Sequence, residues 1–334
     1  MLARTISNVG KSIGTKAIAR PFTSADGPRA ASDNDRLHDA VNDGTFPIRN
    51  IRNFCILAHV DHGKSTLADR ILEYTTSGDT TGRHSTVLDT LDVEQQRGIT
   101  VKSQTASFLY TPPAGAPPHL LNLIDTPGHV DFSYEVSRAL AACSGALLLV
   151  DSTQGVQAQT LANYRKAREA GVEHFVPVLT KLDLPLSEPD AAAAQMTAAF
   201  GFDVEDIVLT SAKTGEGVDD VLDAVVARLP PPPGHSGAQD AEPRALVFDS
   251  IFDTYKGAVS LVAVVEGTLR TGDTLTAHHA GKALVAKECG VLAVGGKHHG
   301  RLATEALGPG QPVDIFAGIW RKNEVDPLCV WLVV

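Results

Sequence analysis

The chain has little of what membrane spans, disulfide frameworks and nucleic-acid-coating surfaces are made from. Its four cysteines (Cys55, Cys143, Cys289 and Cys329) are scattered, with no CxxC pair. That excludes a disulfide frame or a cysteine zinc site, and they read as reduced packing residues. No apolar run reaches the about 18 residues of a membrane helix, and the longest runs, such as 145–150, are strand-sized. Positive charge is also short: 29 Lys and Arg face 39 Asp and Glu, a formal net charge of −10. An acidic body argues against broad adhesion to nucleic acid, whose affinity comes mainly from Lys and Arg on phosphates. What remains is an ordinary globular composition, 43% hydrophobic and 20% charged over 334 residues, long enough for about two domains. Disordered, collagen-like and disulfide-miniprotein classes are excluded with it.

Residues 1–23 stand apart. They carry Arg4, Lys11, Lys16 and Arg20 and no acid, the first being Asp26. Leu2, Ile6, Val9 and Ile13 share a helical face with Arg4 and Lys11 opposite, while Gly10 and Gly14 deny the segment a continuous apolar core. The profile is that of an organellar transit peptide, mitochondrial ahead of plastid, with a basic tail as the bland alternative. Residues 24–50 read as a polar linker.

From Ile51 apolar strand-like runs alternate with helical stretches. The runs are 53–59, 120–126, 145–152, 174–183 and 206–212, and the helical stretches 64–73, 157–170, 189–200 and 218–229. Strands rich in Val, Ile and Leu on both faces, separated by helices, predict a mainly parallel sheet wound on both sides, over 51–230. A proline-rich linker at 231–243 ends that block. Residues 244–318, with short alternating runs and Gly-containing turns, predict a small all-β domain, most simply a barrel.

The stretch AHVDHGKST comprises Ala58, His59, Val60, Asp61, His62, Gly63, Lys64, Ser65 and Thr66, and lies between a strand and a helix. It fits the P-loop pattern GxxxxGK[ST], with Ala58 in place of the first glycine. Consecutive backbone N–H groups at a helix N-terminus suit a phosphate. Gly63 allows close approach, Lys64 reaches the β/γ oxygens and the Ser65 hydroxyl is a Mg²⁺ ligand. At the next strand end come Asp125, Thr126, Pro127, Gly128 and His129. There Asp125 would face Mg²⁺ through water and the Gly128 N–H would meet the γ-phosphate. Thr180, Lys181, Leu182 and Asp183 close another strand, and Ser211, Ala212 and Lys213 the one after it. An acid such as Asp183 accepts two hydrogen bonds from the guanine edge, which adenine does not offer, so GTP/GDP rather than ATP is the expected ligand. Lys181 is expected along the base, with the backbone of 211–213 on its carbonyl side. The adjacent histidines at 278–279 and 298–299 lack a second pair at ligand spacing and read as loop residues.

With RGIT at 97–100, these motifs resemble the translational GTPases. The fuller wording of AHVDHGKSTLADRILE, LDTLDVEQQRGITVKSQTA and ALVFDSIFDTYKGAVSLVAVVEGTLRTGDTL resembles the LepA (elongation factor 4) family, the leader pointing to its mitochondrial form. The resemblance runs from about Ile51 to Gly318. It implies that Thr100 is the switch threonine closing on Mg²⁺ and the γ-phosphate, and that His129 orients the attacking water between Val60 and Ile99. It further implies GTP hydrolysis on mitochondrial ribosomes, back-translocation of tRNAs, a monomer without a transmembrane segment, and a peripheral position on the matrix side of the inner membrane. Two alternatives stay open: a GTP-binding module without ribosome-coupled activity, and another translational GTPase of the TypA or elongation factor G type.

Three departures accompany the resemblance. Ala58 replaces glycine, which is harmless at φ < 0. Thr180 stands where the family usually has Asn, for an expected loss of about 1 kcal/mol, one ordinary hydrogen bond. After 313–319 the wording stops resembling the family, and 319–334 reads as a divergent tail. Its apolar end suits translated non-coding sequence better than a solvated terminus. The later domains that make most rRNA and tRNA contacts in the family have no counterpart here, which points to a truncated chain.

Overall fold

The computed structural model describes residues 37, 46–75, 104–113, 116–125, 133–232, 242–253, 257–278, 282–293, 300–304, 306–308, 310, 312–317 and 330–333. The transit-like leader, Thr100, Thr126, Pro127, Gly128 and His129 lie outside the described residues.

Strand β1 (Ile51–Ala58) is buried at every position, as a strand covered on both faces must be. After it come α1 (Lys64–Thr75), β2 (Gln104–Tyr110), β3 (His119–Asp125), α2 (Ser133–Ala141) and β4 (Gly145–Asp151). Next are α3 (Ala158–Glu169), β5 (Phe175–Thr180), α4 (Pro189–Phe200), β6 (Val208–Leu209) and α5 (Val218–Arg228). The strand order is β2-β3-β1-β4-β5-β6. All neighbours are parallel except β2, which pairs antiparallel with β3.

Helices cover both faces. Leu67, Ile71 and Leu72 of α1 share one core with Val221, Leu222 and Val225 of α5 and with Phe54, Ile56, Leu121 and Leu123 of the sheet. On the other face Leu140 of α2 and Ala167 of α3 pack with Cys55, Leu57 and Leu148, while Ala192, Ala193 and Met196 of α4 pack with Val150 and Leu179.

Two elements have no counterpart among the expected runs, β2 and α2. The first, QTASFLY, carries buried Thr105 and Ser107 among its apolar residues, so it shows no continuous apolar run. Two expected strands are shorter than their apolar text. The strand β5 stops at Thr180 because the chain turns there, and β6 is only Val208–Leu209, between a short 3-10 turn at Val204–Asp206 and the loop at Ser211.

The β domain comprises β7 (Arg244–Asp253), β8 (Gly257–Glu266), β9 (Leu269–Arg270), β10 (Thr274–Ala277), β11 (Lys282–Ala293), β12 (Gly300–Thr304), β13 (Ala306–Leu307), β14 (Pro312–Ala317) and β15 (Val330–Val333). Pairing runs β10-β15-β7-β8-β14-β11, and β11 returns to β10, which closes a six-stranded barrel. Ala245, Val247, Val262, Val264, Leu275 and Cys289 contribute to one core of it, joined by Ile51 and Leu120. Phe248, Leu261 and Ala263 instead pack with Ile124 of β3 and with Ala139 and Ala142 at the end of α2. Successive residues of β7 and β8 thus alternate between two cores, one shared with β10 and β11 and one shared with β3 and α2.

The two ends contribute more to the fold than their text suggests. The apolar end of the divergent tail forms a strand. Val330–Val333 pairs antiparallel with β7 and with β10, and β-branched and aromatic residues suit that place. The stretch expected as polar linker supplies Leu37, buried within the barrel-side core, and Phe46 packed against it. An isolated leucine in polar text has no periodicity to reveal its burial.

Candidate functional site

The C-terminal ends of β1, β3, β4 and β5 open on one edge of the sheet, at Ala58, Asp125, Asp151 and Thr180. Strand β1 has β3 on one side and β4 on the other, the switch point at which open α/β sheets take up ligands.

The loop after β1 passes twice through the left-handed region, at Asp61 (φ 63°) and Gly63 (φ 88°). Ala58 does not, so the missing first glycine costs nothing here. A Cβ on Gly63 would meet nothing nearer than the Lys181 Cε at 3.9 Å; it is the backbone angle that calls for glycine there. The Leu67 N–H donates to the Gly63 carbonyl (2.9 Å) and starts α1. Lys64 is buried, Ser65 half-buried and Thr66 exposed at that helix start.

His62 lies inside the loop with 0% exposure. Its Nδ1 accepts from the Asp151 N–H (3.2 Å), and its Nε2 has no partner. Burial pushes its pKa down to about 4, helped by His59 and Lys181 and opposed by Asp151. The imidazole is neutral, with its proton on Nε2.

Thr180 ties two parts of the site together. Its hydroxyl donates to the His62 carbonyl (2.8 Å), with the Val150 carbonyl at 3.4 Å. The hydroxyl thereby ties the end of β5 to the loop after β1. Lys181, also left-handed (φ 61°), places Nζ 2.8 Å from Oδ2 of the fully buried Asp151. Burial pushes the Asp151 carboxyl up, but hydrogen bonds from Lys181 and Thr153 outweigh it and hold the pKa below its ordinary value.

Leu182 is half-buried and Asp183 exposed. The Ser211 hydroxyl donates to Asp183 Oδ1 (2.7 Å), which aims the carboxylate. The Ala212 and Lys213 carbonyls accept from Arg70 of α1, at 2.7 Å from Nε and 3.0 Å from Nη2, which ties this loop to the helix that follows the loop after β1. The structure thus brings together 58–66, 180–183 and 211–213. Asp125 stands at the neighbouring strand end by its backbone position. Asp151 and Arg70 belong to none of the sequence motifs. A carboxylate at the C-terminal end of β4 is a visible signal for the first; Arg70 looks like any surface helix residue.

The residues fit the ligands expected of them. A helix N-terminus with a buried lysine, behind a loop that turns through the left-handed region at Asp61 and Gly63, suits a polyphosphate. Ser65, in the first turn of α1, offers the hydroxyl oxygen that Mg²⁺ accepts as a ligand, and the end of β3 at Asp125 lies on the strand next to β1.

Comparison with known proteins agrees with this geometry. Residues 49–231, more than half of the chain, match the family described as the elongation factor Tu GTP binding domain. The mitochondrial translation factor GUF1 of Laccaria bicolor is 49% identical over 275 residues, covering 82% of this chain and 42% of the relative. Its homologue in Aedes aegypti is 49% identical over 277 residues, covering 83% and 40%. Elongation factor 4 of Cutibacterium acnes is 52% identical over 242 residues, covering 72% and 39%. The chain therefore spans about two fifths of the length of these relatives. A crystal structure of the bacterial selenocysteine-specific elongation factor EF-Sec shares the fold, with a TM-score of 0.63 at 22% identity over 85% of this chain and 44% of that one. These matches, over a sheet edge built in this way, mean that the chain belongs to the translational GTPases, in their LepA (elongation factor 4) family.

Proposed function

We propose that this chain is the switch portion of a ribosome-associated GTPase of mitochondrial protein synthesis, hydrolysing GTP to GDP and phosphate. Its role is to promote back-translocation of tRNAs on mistranslocated ribosomes. The supporting observation is the pairing of the Ala58–Thr66 loop with the Ser211-oriented carboxylate of Asp183 at one sheet edge. The leader at 1–23, followed by a linker to residue 50, supports delivery to the mitochondrion, and the acting molecule is a monomer on the matrix side of the inner membrane.

Asp183 reads the guanine edge while Lys181 flanks the base. Backbone N–H groups of the loop and Lys64 bind the β- and γ-phosphates. Ser65, Thr100 and, through water, Asp125 would hold Mg²⁺, which when bound neutralises charge on the phosphate oxygens. Thr100 and the Gly128 N–H sense the γ-phosphate, with Thr126 and Pro127 shaping that turn. His129 orients the water, flanked by Val60 and Ile99. Such chemistry asks little covalent work of the protein, so positioning and electrostatics carry it.

The test is Mg·GTP hydrolysis by the purified chain with and without mitochondrial ribosomes, beside His129→Ala. The expected result is specific GTP binding and a ribosome-stimulated rate that the variant loses. Binding Mg·GTP no better than Mg·ATP would overturn the reading. Specific binding without stimulation would leave a guanine-nucleotide module whose ribosome coupling needs segments of the longer relatives.

A further inference from the structure

The phosphate loop is held from a helix that carries none of the nucleotide motifs. Helix α3 packs against β1 and β4, anchored by Ala167, which is buried with Leu57 and Leu148. Near its N-terminus, Gln159 and Asn163 stand four residues apart and so share a face. Asn163 Nδ2 donates to the Ala58 carbonyl (3.2 Å). The amide oxygen of Gln159 accepts from the Val60 N–H (3.4 Å) and from Nδ1–H of His59. Two side chains thus engage three consecutive residues at the entry of the loop, about a hundred positions upstream. The far half of the loop is held separately, by Thr180 on the His62 carbonyl.

The physical need for these partners is specific to this turn. A chain leaving a strand to curl around a phosphate leaves the sheet ladder before α1 has begun, so its backbone groups need other partners. An amide side chain is suited to supply them, because it donates through nitrogen and accepts through oxygen. Gln159 and Asn163 each use the end that matches: acceptor to an N–H, donor to a carbonyl.

We infer that Gln159 and Asn163 are positioning residues for phosphate binding. They hold Ala58, His59 and Val60 in the curve that lets the following N–H groups converge on the β-phosphate, so helix α3 is part of the nucleotide-binding apparatus. This rests on the reading of Ala58–Thr66 as the phosphate loop of a GTPase.

Gln159→Met and Asn163→Leu keep the approximate size and remove the hydrogen bonds; Gln159→Ala and Asn163→Ala serve if either larger variant misfolds. Dissociation constants for GDP and GMP are measured on the full chain, with thermal unfolding without nucleotide as the folding check. Each variant is expected to weaken GDP about fivefold, the effect of one ordinary hydrogen bond. GMP binding stays unchanged, because GMP has no β-phosphate, so the affinity ratio of GDP to GMP falls. An unchanged ratio overturns the inference, including the case where both ligands weaken together, as a general scaffold defect would make them. If the wild type itself binds GDP no better than ADP, the GTPase reading fails instead.

Discussion

Thr180 ties the end of β5 to the loop after β1 through a single hydrogen bond. A hydroxyl has one proton to donate, and here it goes to the His62 carbonyl. Thr180→Val keeps the shape and removes that bond, so GDP affinity should fall about fivefold, while Thr180→Asn restores it. Equilibrium titration with a fluorescent GDP analogue checks both; an unchanged affinity in the valine variant would show that the tether does not reach the ligand. His62, in the same contact, makes the fold sensitive to acid. Its pKa is about 4 in the fold against an ordinary value of 6.5, so between those limits the unfolded chain binds the extra proton. Its stabilising share is complete above pH 6.5 and is lost as pH falls toward 4, roughly 3 kcal/mol in all. Urea unfolding at pH 7 and pH 4.5 should therefore show a larger acid loss in the wild type than in His62→Gln; equal losses would contradict the assignment.

At the scale of elements, β15 is the one whose removal says most. It pairs with β7 on one side and β10 on the other, so without it the barrel opens along both strands. Open edges with unpaired N–H and C=O groups invite pairing with other chains. Deleting residues 330–334 should lower the thermal midpoint and produce concentration-dependent association, read by sedimentation velocity. A variant that stays monomeric with its midpoint unchanged would mean that the closing strand adds nothing. The contrast with α1 is instructive. That helix announces itself through Leu67, Ile71 and Leu72 on one face, a local pattern with a 3.6-residue period. The tail's apolar residues carry no such pattern, and only their two neighbours explain them.

Across the whole molecule the two folds share their packing. Ile51 of β1 and Leu120 of β3 belong to the same core as Val262, Val264 and Leu275 of the barrel. The Asn53 side chain donates to the Gly310 carbonyl (3.0 Å) and accepts from Asn122 Nδ2 (2.8 Å). A continuous apolar interface of this kind resists independent domain motion. We therefore expect the domains to unfold together. The two tryptophans, Trp320 and Trp331, belong to the C-terminal part, while among the described residues all helices from α1 to α5 lie between 64 and 228. Tryptophan fluorescence and far-ultraviolet circular dichroism should thus report coincident melting curves. Separate transitions would show that the shared core does not couple them.

The sequence by itself determined the glycine-containing turn between β1 and α1, the place where β5 ends in a turn, the alternation of strands with helices, and the β character of residues after 244. Each is written in short-range spacing, in a glycine where φ must be positive, an apolar face repeating along a helix or a charged residue closing a buried strand. Only the tertiary structure decided that Thr180 bonds the His62 carbonyl, that Gln159 and Asn163 grip the loop, that Leu37 is buried, and that residues 330–333 close the barrel. These depend on partners distant in the chain, and a side chain's hydrogen-bond partner or buried face is set by which segments meet, not by its neighbours in sequence.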